Sequence, residues 1–360
     1  SVTALVSFFM GRTITMRERL EMSASLSLDD ISGIVRLMRE VMLFTAAIEL
    51  AGTALLSIRF IPQFGIAEGL WKAFFHAVSA FCNAGFDLMG QREAFANLSD
   101  YAQDPLVNLV IIALIVMGGL GFLVWHDLRA NRKWNRLSVH TRLVLIMTAL
   151  LLIGGTLAIF VLEYSNPQTL GNMPVGNRVL ASLFQATTCR TAGFNTIDQG
   201  ALRSGTAVIC ILLMFVGGSS GSTAGGIKTT SVAVLILAAW SVLRSRRDIT
   251  VFHRRIEERL VLQAVALVMA ALGLILMGNF ILYTADNVSV ERALYETVSA
   301  FSTTGLSENL TPTLGVVSKC WLILEMYFGR IGILTLGAAV FTRRIFEPKI
   351  RYPESKVIVG

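Results

Sequence analysis

Apolar residues in this chain come in long uninterrupted runs, without the polar position every third or fourth residue that marks an amphipathic surface helix. Crossing a bilayer takes roughly 20 mostly apolar residues, and six runs meet that length, at about 34–60, 105–125, 143–163, 204–243, 258–284 and 316–342. A further run, SVTALVSFFMG at 1–11, is half as long as needed. The fourth run is about twice the usual length and is interrupted by FVGGSSGSTAGGIKTT at 215–230. Between the long runs lie three short amphipathic segments, LWKAFFHAVSAF (70–81), NRVLASLFQATT (177–188) and ERALYETVSAF (291–301). Each predicts a half-length helix that enters the membrane and turns back.

The stretches that follow these half-helices align as SAFCNAGF (79–86), TTCRTAGF (187–194) and SAFSTTGL (299–306), with Gly85, Gly193 and Gly305 in register. The unit recurs about every 110 residues, so the expected organisation is a repeated membrane helix–pore loop–membrane helix. Non-helical backbone at membrane depth is tolerated only inside protein or against a water-filled cavity. Carbonyls left free there can replace the hydration shell of a cation, and glycine lets several loops approach one axis. The expectation is an all-α polytopic membrane protein around a central pore. Its filter would use the backbone of Asn83, Ala84, Gly85 and Phe86, of Thr191, Ala192, Gly193 and Phe194, and of Thr303, Thr304, Gly305 and Leu306, with potassium at the carbonyls. The competing reading is three external turns capping short core helices.

Composition agrees, with 54% hydrophobic and 15% charged residues and a mean hydropathy of +0.64. The net charge of +7 does not point to nucleic acid, because most of the basic residues cluster in alternate connections and the other connections carry few. Arg129, Arg132, Lys133, Arg136 and Arg142 fill one loop; Arg244, Arg246, Arg247, Arg254, Arg255 and Arg259 fill another. Arg12, Arg17 and Arg19 follow the half-run, and the tail carries Arg343, Arg344, Lys349, Arg351 and Lys356. The remaining connections are acidic, with Glu68, Asp87, Glu93, Asp100, Asp104, Glu163, Asp198, Asp286 and Glu308. Positive-inside topology then puts the clusters and the C-terminus in the cytoplasm. Cys82, Cys189, Cys210 and Cys320 show neither a CxxC pair nor a disulfide framework. His76, His126, His140 and His253 lack metal-ligand spacing. The chain begins with Ser and shows no signal peptide.

Each glycine inside a helix costs roughly 1 kcal/mol relative to alanine, so Gly217, Gly218, Gly221, Gly225 and Gly226, set among Ser219, Ser220, Ser222, Thr223 and Ala224, predict an unwound segment in mid-membrane. Two enzyme motifs nearly fit it. Gly217-x-Ser219-x-Gly221 matches a nucleophile elbow, but no strand precedes it and no His and acid surround it. The Walker-type pattern from Gly221 to Lys228 is spoiled by Ile227. No enzymatic activity is expected. Arg330, in YFGRIGILT, is a charge in the middle of the last run, which calls for a cavity or a partner. Glu296 would support its half-helix, Glu325 has no assigned role, and Arg190 would turn away from the permeation axis and brace its loop.

SAFCNAGF, FQATTCRTAGFN, LLMFVGGSSGSTAGGIK, SAFSTTGL and FGRIGILT together resemble the membrane subunits of bacterial Ktr potassium transporters, in the Ktr/Trk/HKT superfamily, from about residue 2 to the terminal RYPESKVIVG. The resemblance implies four membrane–pore–membrane repeats, of which three complete ones are recognisable here. Residues 1–32 would be the end of a first inner helix and a cytoplasmic segment, 33–138 a second repeat, 139–256 a third with the broken inner helix, 257–346 a fourth, and 347–360 a cytoplasmic tail. Roughly 100 residues of a first repeat are expected upstream. The glycine-rich segment, with Lys228 and Arg330, would gate the pore below the filter. A homodimer in the bacterial cytoplasmic membrane is implied, resting on a ring of regulatory subunits that bind ATP and ADP themselves. Sodium is a candidate activator, and glycine or serine in the first pore loop bears on potassium against sodium preference. The alternative is a sodium-permeable or sodium-coupled secondary transporter with broken helices.

Overall fold

The computed structural model describes residues 34–90, 96–246 and 248–331. The half-run at 1–11, the segment 1–32, the tail at 347–360 and the part of the last run beyond 331 lie outside the described residues.

Long apolar runs become helices because only an internally hydrogen-bonded backbone is stable in hydrocarbon. In chain order these are α1 (Ile34–Phe64), α2 (Ile66–Phe81), α3 (Pro105–Leu120), α4 (Phe122–Ala130), α5 (Val139–Glu163), α6 (Val175–Thr188), α7 (Ser204–Phe215), α8 (Thr229–Leu243), α9 (Glu258–Asp286), α10 (Val290–Phe301) and α11 (Val316–Ile331). A two-residue hairpin, β1 (Thr250–Val251) with β2 (Arg254–Arg255), joins α8 to α9. Among the described residues α1, α5 and α9 are long and apolar enough to cross a membrane, and α3 with α4 forms a fourth, bent candidate. The chain is an all-α polytopic membrane protein.

Local signals set the ends. Asp104 caps α3 by accepting from the Leu106 and Val107 amides, with Pro105 at the first helical position. Ser138 caps α5 by accepting from the Thr141 amide at 3.1 Å. Gly65, at φ +83°, turns the chain from α1 straight into α2.

Helices α1, α5 and α9 carry exposed Leu50 and Ile58, Leu150 and Ile153, and Met269 and Phe280. An apolar belt of this kind is a lipid-facing surface. The C-terminal halves of the short helices α2, α6 and α10 are buried inside it, so these segments point into the centre of the molecule and the long helices form its wall. Packing is tight between wall and centre: a Cβ on Gly69 of α2 would lie 2.7 Å from the Phe60 carbonyl oxygen of α1.

One expectation needs correction. The run at about 105–125 is not one straight span, because it bends by 89° at Gly121, whose φ is +94°. The run at 204–243 is broken where its glycines predict: α7 and α8 are separate short helices with 216–228 between them.

The wall also holds a buried carboxylate. Glu163, at the end of α5, accepts from the hydroxyls of Thr169 and Thr206 at 2.6 Å each, from Asn166 Nδ2 at 2.7 Å and from the Arg203 amide at 2.9 Å. It ties α5 to the start of α7. Removing it strands the buried hydroxyls of Thr169 and Thr206, and each such loss costs about 1–3 kcal/mol. Glu163→Ala should therefore lower the thermal midpoint in detergent well beyond the shift given by Glu258→Ala at an exposed position; equal shifts would refute the role.

Candidate functional site

The residues that follow α2, α6 and α10 repeat one backbone conformation. Asn83, Thr191 and Thr303 have φ of +50°, +69° and +54°, and two residues later Gly85, Gly193 and Gly305 have +71°, +84° and +89°. Left-handed backbone at a β-branched threonine is costly, so its recurrence marks a constrained conformation. Below each loop a hydroxyl of the short helix donates to the loop's last carbonyl. Ser79 donates to Phe86 O at 2.8 Å, Thr188 to Phe194 O at 2.5 Å and Ser299 to Leu306 O at 2.6 Å. The third-repeat donor is one position later than the aligned Thr187, which donates instead to Leu183 O. That slip goes with α6 ending one residue before its counterparts.

The loops touch through the first two of these glycines, whereas a Cβ on Gly305 would meet nothing within 4 Å. A Cβ on Gly85 would lie 2.5 Å from Ala192 O and 2.8 Å from Gly193 Cα, and one on Gly193 would collide with Thr304 O. The carbonyls of neighbouring loops therefore sit in space that only glycine leaves open. Outside the loops, Leu98 donates its amide to Asn195 O at 3.1 Å, and Asn309 donates to Asp198 Oδ1 at 3.0 Å, clasping the second loop to the third and the third to the fourth. Glu296 accepts from Ser307 at 2.5 Å and Thr311 at 2.6 Å, tying α10 to the segment after its loop.

The glycine-rich segment lies directly against the inner ends of these loops. The amide of Gly225 donates to Thr191 Oγ1 at 3.2 Å, and a Cβ there would collide with Thr303 Oγ1. Thr223 donates its hydroxyl to Phe81 O, the last residue of α2, at 2.9 Å. On its other side the segment seats on the α3–α4 bend. Ser219 donates its amide to Gly119 O at 3.0 Å, and Phe122 donates to Gly221 O at 2.9 Å. A Cβ on Gly121 would lie 2.7 Å from Ser220 O. Gly118 and Gly329 are so close to Phe81 O and Phe301 O that a Cβ on either would collide. Aligning VMGGL, FVGGS and YFGRI puts Gly118, Gly217 and Gly329 in register, followed by Gly119, Gly218 and Arg330.

Arg330 donates Nη1 to the Thr223 carbonyl at 2.9 Å, so its partner is the segment's backbone and not an acid. Lys228 folds back on the same segment, donating to Ala224 O at 2.7 Å. Arg190 is buried behind the second and third loops. Ser219 shares a hydrogen bond only with Thr229 among side chains, at 3.1 Å, so the elbow motif assembles no base beside it. Glu325 accepts from Trp321 at 2.9 Å and packs on Gly278 of α9. His76 stacks at the rear of the third loop, its ring 6.4 Å from Phe194. No cluster of three His, Cys, Asp or Glu that could hold a metal occurs among the described residues.

Outside the loops Glu308 packs with Arg292, whose Nε lies 3.7 Å from Oε2. Burial pushes its carboxyl up to about 7, aided by Glu291 and Glu296 and opposed by Arg292. Because the folded value exceeds the unfolded one, this group favours folding fully below about 4.5 and loses that contribution as pH rises through about 7. The thermal midpoint should fall across that interval, and Glu308→Gln should flatten the fall; an unchanged slope would refute the assignment.

A model of the family described as TrkH, cation transport protein, matches residues 6–349. The chain is 40% identical over 357 residues to the Ktr system potassium uptake protein B of Bacillus subtilis, covering 99% of this chain and 78% of that one. It is 35% identical to the potassium/sodium uptake protein NtpJ of Enterococcus hirae, covering 97% and 77%. The crystal structure of the potassium transporter TrkH from Vibrio parahaemolyticus superposes with a TM-score of 0.70 at 18% identity, over 90% of this chain and 68% of that chain.

Proposed function

The chain belongs to the TrkH family of cation transport proteins, and from that premise we propose that it takes up potassium across the bacterial cytoplasmic membrane through a filter of backbone carbonyls. The observation that carries this reading is the threefold recurrence of one left-handed backbone pattern, ending at Gly85, Gly193 and Gly305, with a neighbouring loop's carbonyl packed against Gly85 and against Gly193. A dehydrated cation needs several oxygens at once, and carbonyls from adjacent loops supply them without a charged side chain. The filter residues are 83–86, 191–194 and 303–306.

The segment from Gly217 to Gly226, with Lys228 and Arg330, acts as the gate. It lies in contact with the inner ends of the loops, and two cations hold its carbonyls. The basic connections and the C-terminus face the cytoplasm, where a ring of nucleotide-binding regulatory subunits docks on a homodimer; ATP and ADP belong to that ring. Sodium is an activator in this scheme.

A second reading is a sodium-permeable pathway, favoured by the similarity to a relative named for potassium and sodium together. Flux into proteoliposomes carrying the full-length protein separates the two. Potassium-driven uptake that exceeds sodium-driven uptake supports the first reading, and equal fluxes support the second. Absence of both, with the regulatory subunits added, would defeat transport altogether.

A further inference from the structure

Behind the second and third loops lies a small enclosed cavity, lined by Asn83, Thr187 and Arg190 from the loop region, Ile115, Val116 and Gly119 of α3, and Gly218 of the glycine-rich segment. About 10 Å³ of it is open to the centre of a water molecule. Asn83 and Arg190 are only 4% and 6% exposed, yet neither Asn83 Nδ2, Asn83 Oδ1 nor Arg190 Nε has a hydrogen-bond partner. Buried polar groups left this way cost about 1–3 kcal/mol each, so a native site offering three of them is built to hold a ligand.

The lining chooses the ligand. A cation is repelled by the guanidinium, and the space of about 10 Å³ leaves no room for an anion larger than a water molecule. Water alone accepts from one group while donating to the other, and its need of roughly 10–15 Å³ matches the space. We propose that this cavity is a hydration site whose single water accepts from Arg190 Nε and donates to Asn83 Oδ1, making the two side chains positioning residues for the second and third loops. Both residues flank left-handed positions: Asn83 is one, and Arg190 precedes Thr191. The bridge fixes the separation of the two loops at their inner ends, and Gly218 on the cavity wall brings the glycine-rich segment against the same water.

The inference rests on the proposed filter, and the test separates the two. Full-length protein and the variants Asn83→Leu, Arg190→Met, the double substitution and Asn83→Asp, the last also combined with Arg190→Met, are compared in proteoliposomes for the ratio of potassium to sodium flux. Each single apolar substitution should lower the ratio by about tenfold, the scale of one lost buried hydrogen bond. The double variant should fall no further than the worse single one, because both remove the same bridge. Asn83→Asp, which keeps an acceptor and tolerates the left-handed backbone, should recover part of what Asn83→Leu loses. It should recover less of it in the Arg190→Met background, which separates the lost bridge from the strain of leucine at that position. Additive losses, or Asn83→Asp as poor as Asn83→Leu in both backgrounds, would overturn the proposal. If the wild type does not discriminate between the ions, the filter reading fails, and the water is judged by a map of the full-length protein that shows ordered waters. A peak between Arg190 Nε and Asn83 Oδ1 supports it, and a clear map without one overturns it.

Discussion

Gly193→Ala should abolish discrimination between potassium and sodium in the full-length protein, lowering the flux ratio by about a hundredfold, which corresponds to about 2.7 kcal/mol. Gly193 has φ +84°, and a Cβ there would land on the Thr304 carbonyl oxygen. A left-handed alanine alone costs roughly 1–2 kcal/mol, and the colliding atom is backbone, which cannot rotate away. Either the third or the fourth loop must move, and the loop clasped from outside by Asp198 and Asn309 has no slack to give. The same change at Gly154 of α5, where a Cβ would meet nothing within 4 Å, controls for expression and insertion and should leave the ratio intact. An alanine at 193 that folds and selects as well as wild type would remove these loops from the filter.

Deleting Gly217 to Gly226 should raise potassium flux in the absence of any regulatory partner by about tenfold or more, the scale of removing an obstruction worth about 1.4 kcal/mol. The deletion is tolerable in physical terms. Val216 and Ile227 already pair as a parallel bridge, with the Gly217 amide donating to Ile227 O at 3.0 Å, so the ends to be joined are neighbours running the same way. Arg330→Ala removes one of the bonds that hold the segment and should give a smaller rise of the same sign. A deleted protein that folds but conducts nothing would mean that the segment builds the pathway and does not block it. Arg330→Ala that lowers only the thermal midpoint would reassign that arginine to structure.

Much of this was legible in the sequence because a half-length apolar run has few alternatives in a bilayer. The segments read at 70–81, 177–188 and 291–301 are the buried α2, α6 and α10, and the glycines after them share a backbone conformation. Five glycines in 217–226 foretold the unwound segment. The bend at Gly121 was not legible, because Gly118, Gly119 and Gly121 sit in an otherwise apolar run and glycine is common in membrane helices. What bends the chain there is the amide of Phe122 donating to Gly221 O, a partner about 100 residues away that no local pattern announces. Gly118 and Gly329 were missed for a related reason: their importance is the absence of a Cβ beside Phe81 O and Phe301 O, and that depends on how α3 and α11 pack. Arg190 is buried behind its loop beside Asn83, and the cavity they share arises from packing against α3 that no local pattern announces.

Arg330 has one further consequence. It stands in register with Gly119 and Gly218, and Arg190 stands in register with Cys82 and Ser302. A ring of identical chains would have to repeat each guanidinium at every corner or forgo it, and several such charges around one axis would repel every cation. Repeats fused into one polypeptide are released from that symmetry. Each corner can then carry its own side chain, and among the three repeats recognisable here one alone carries each arginine.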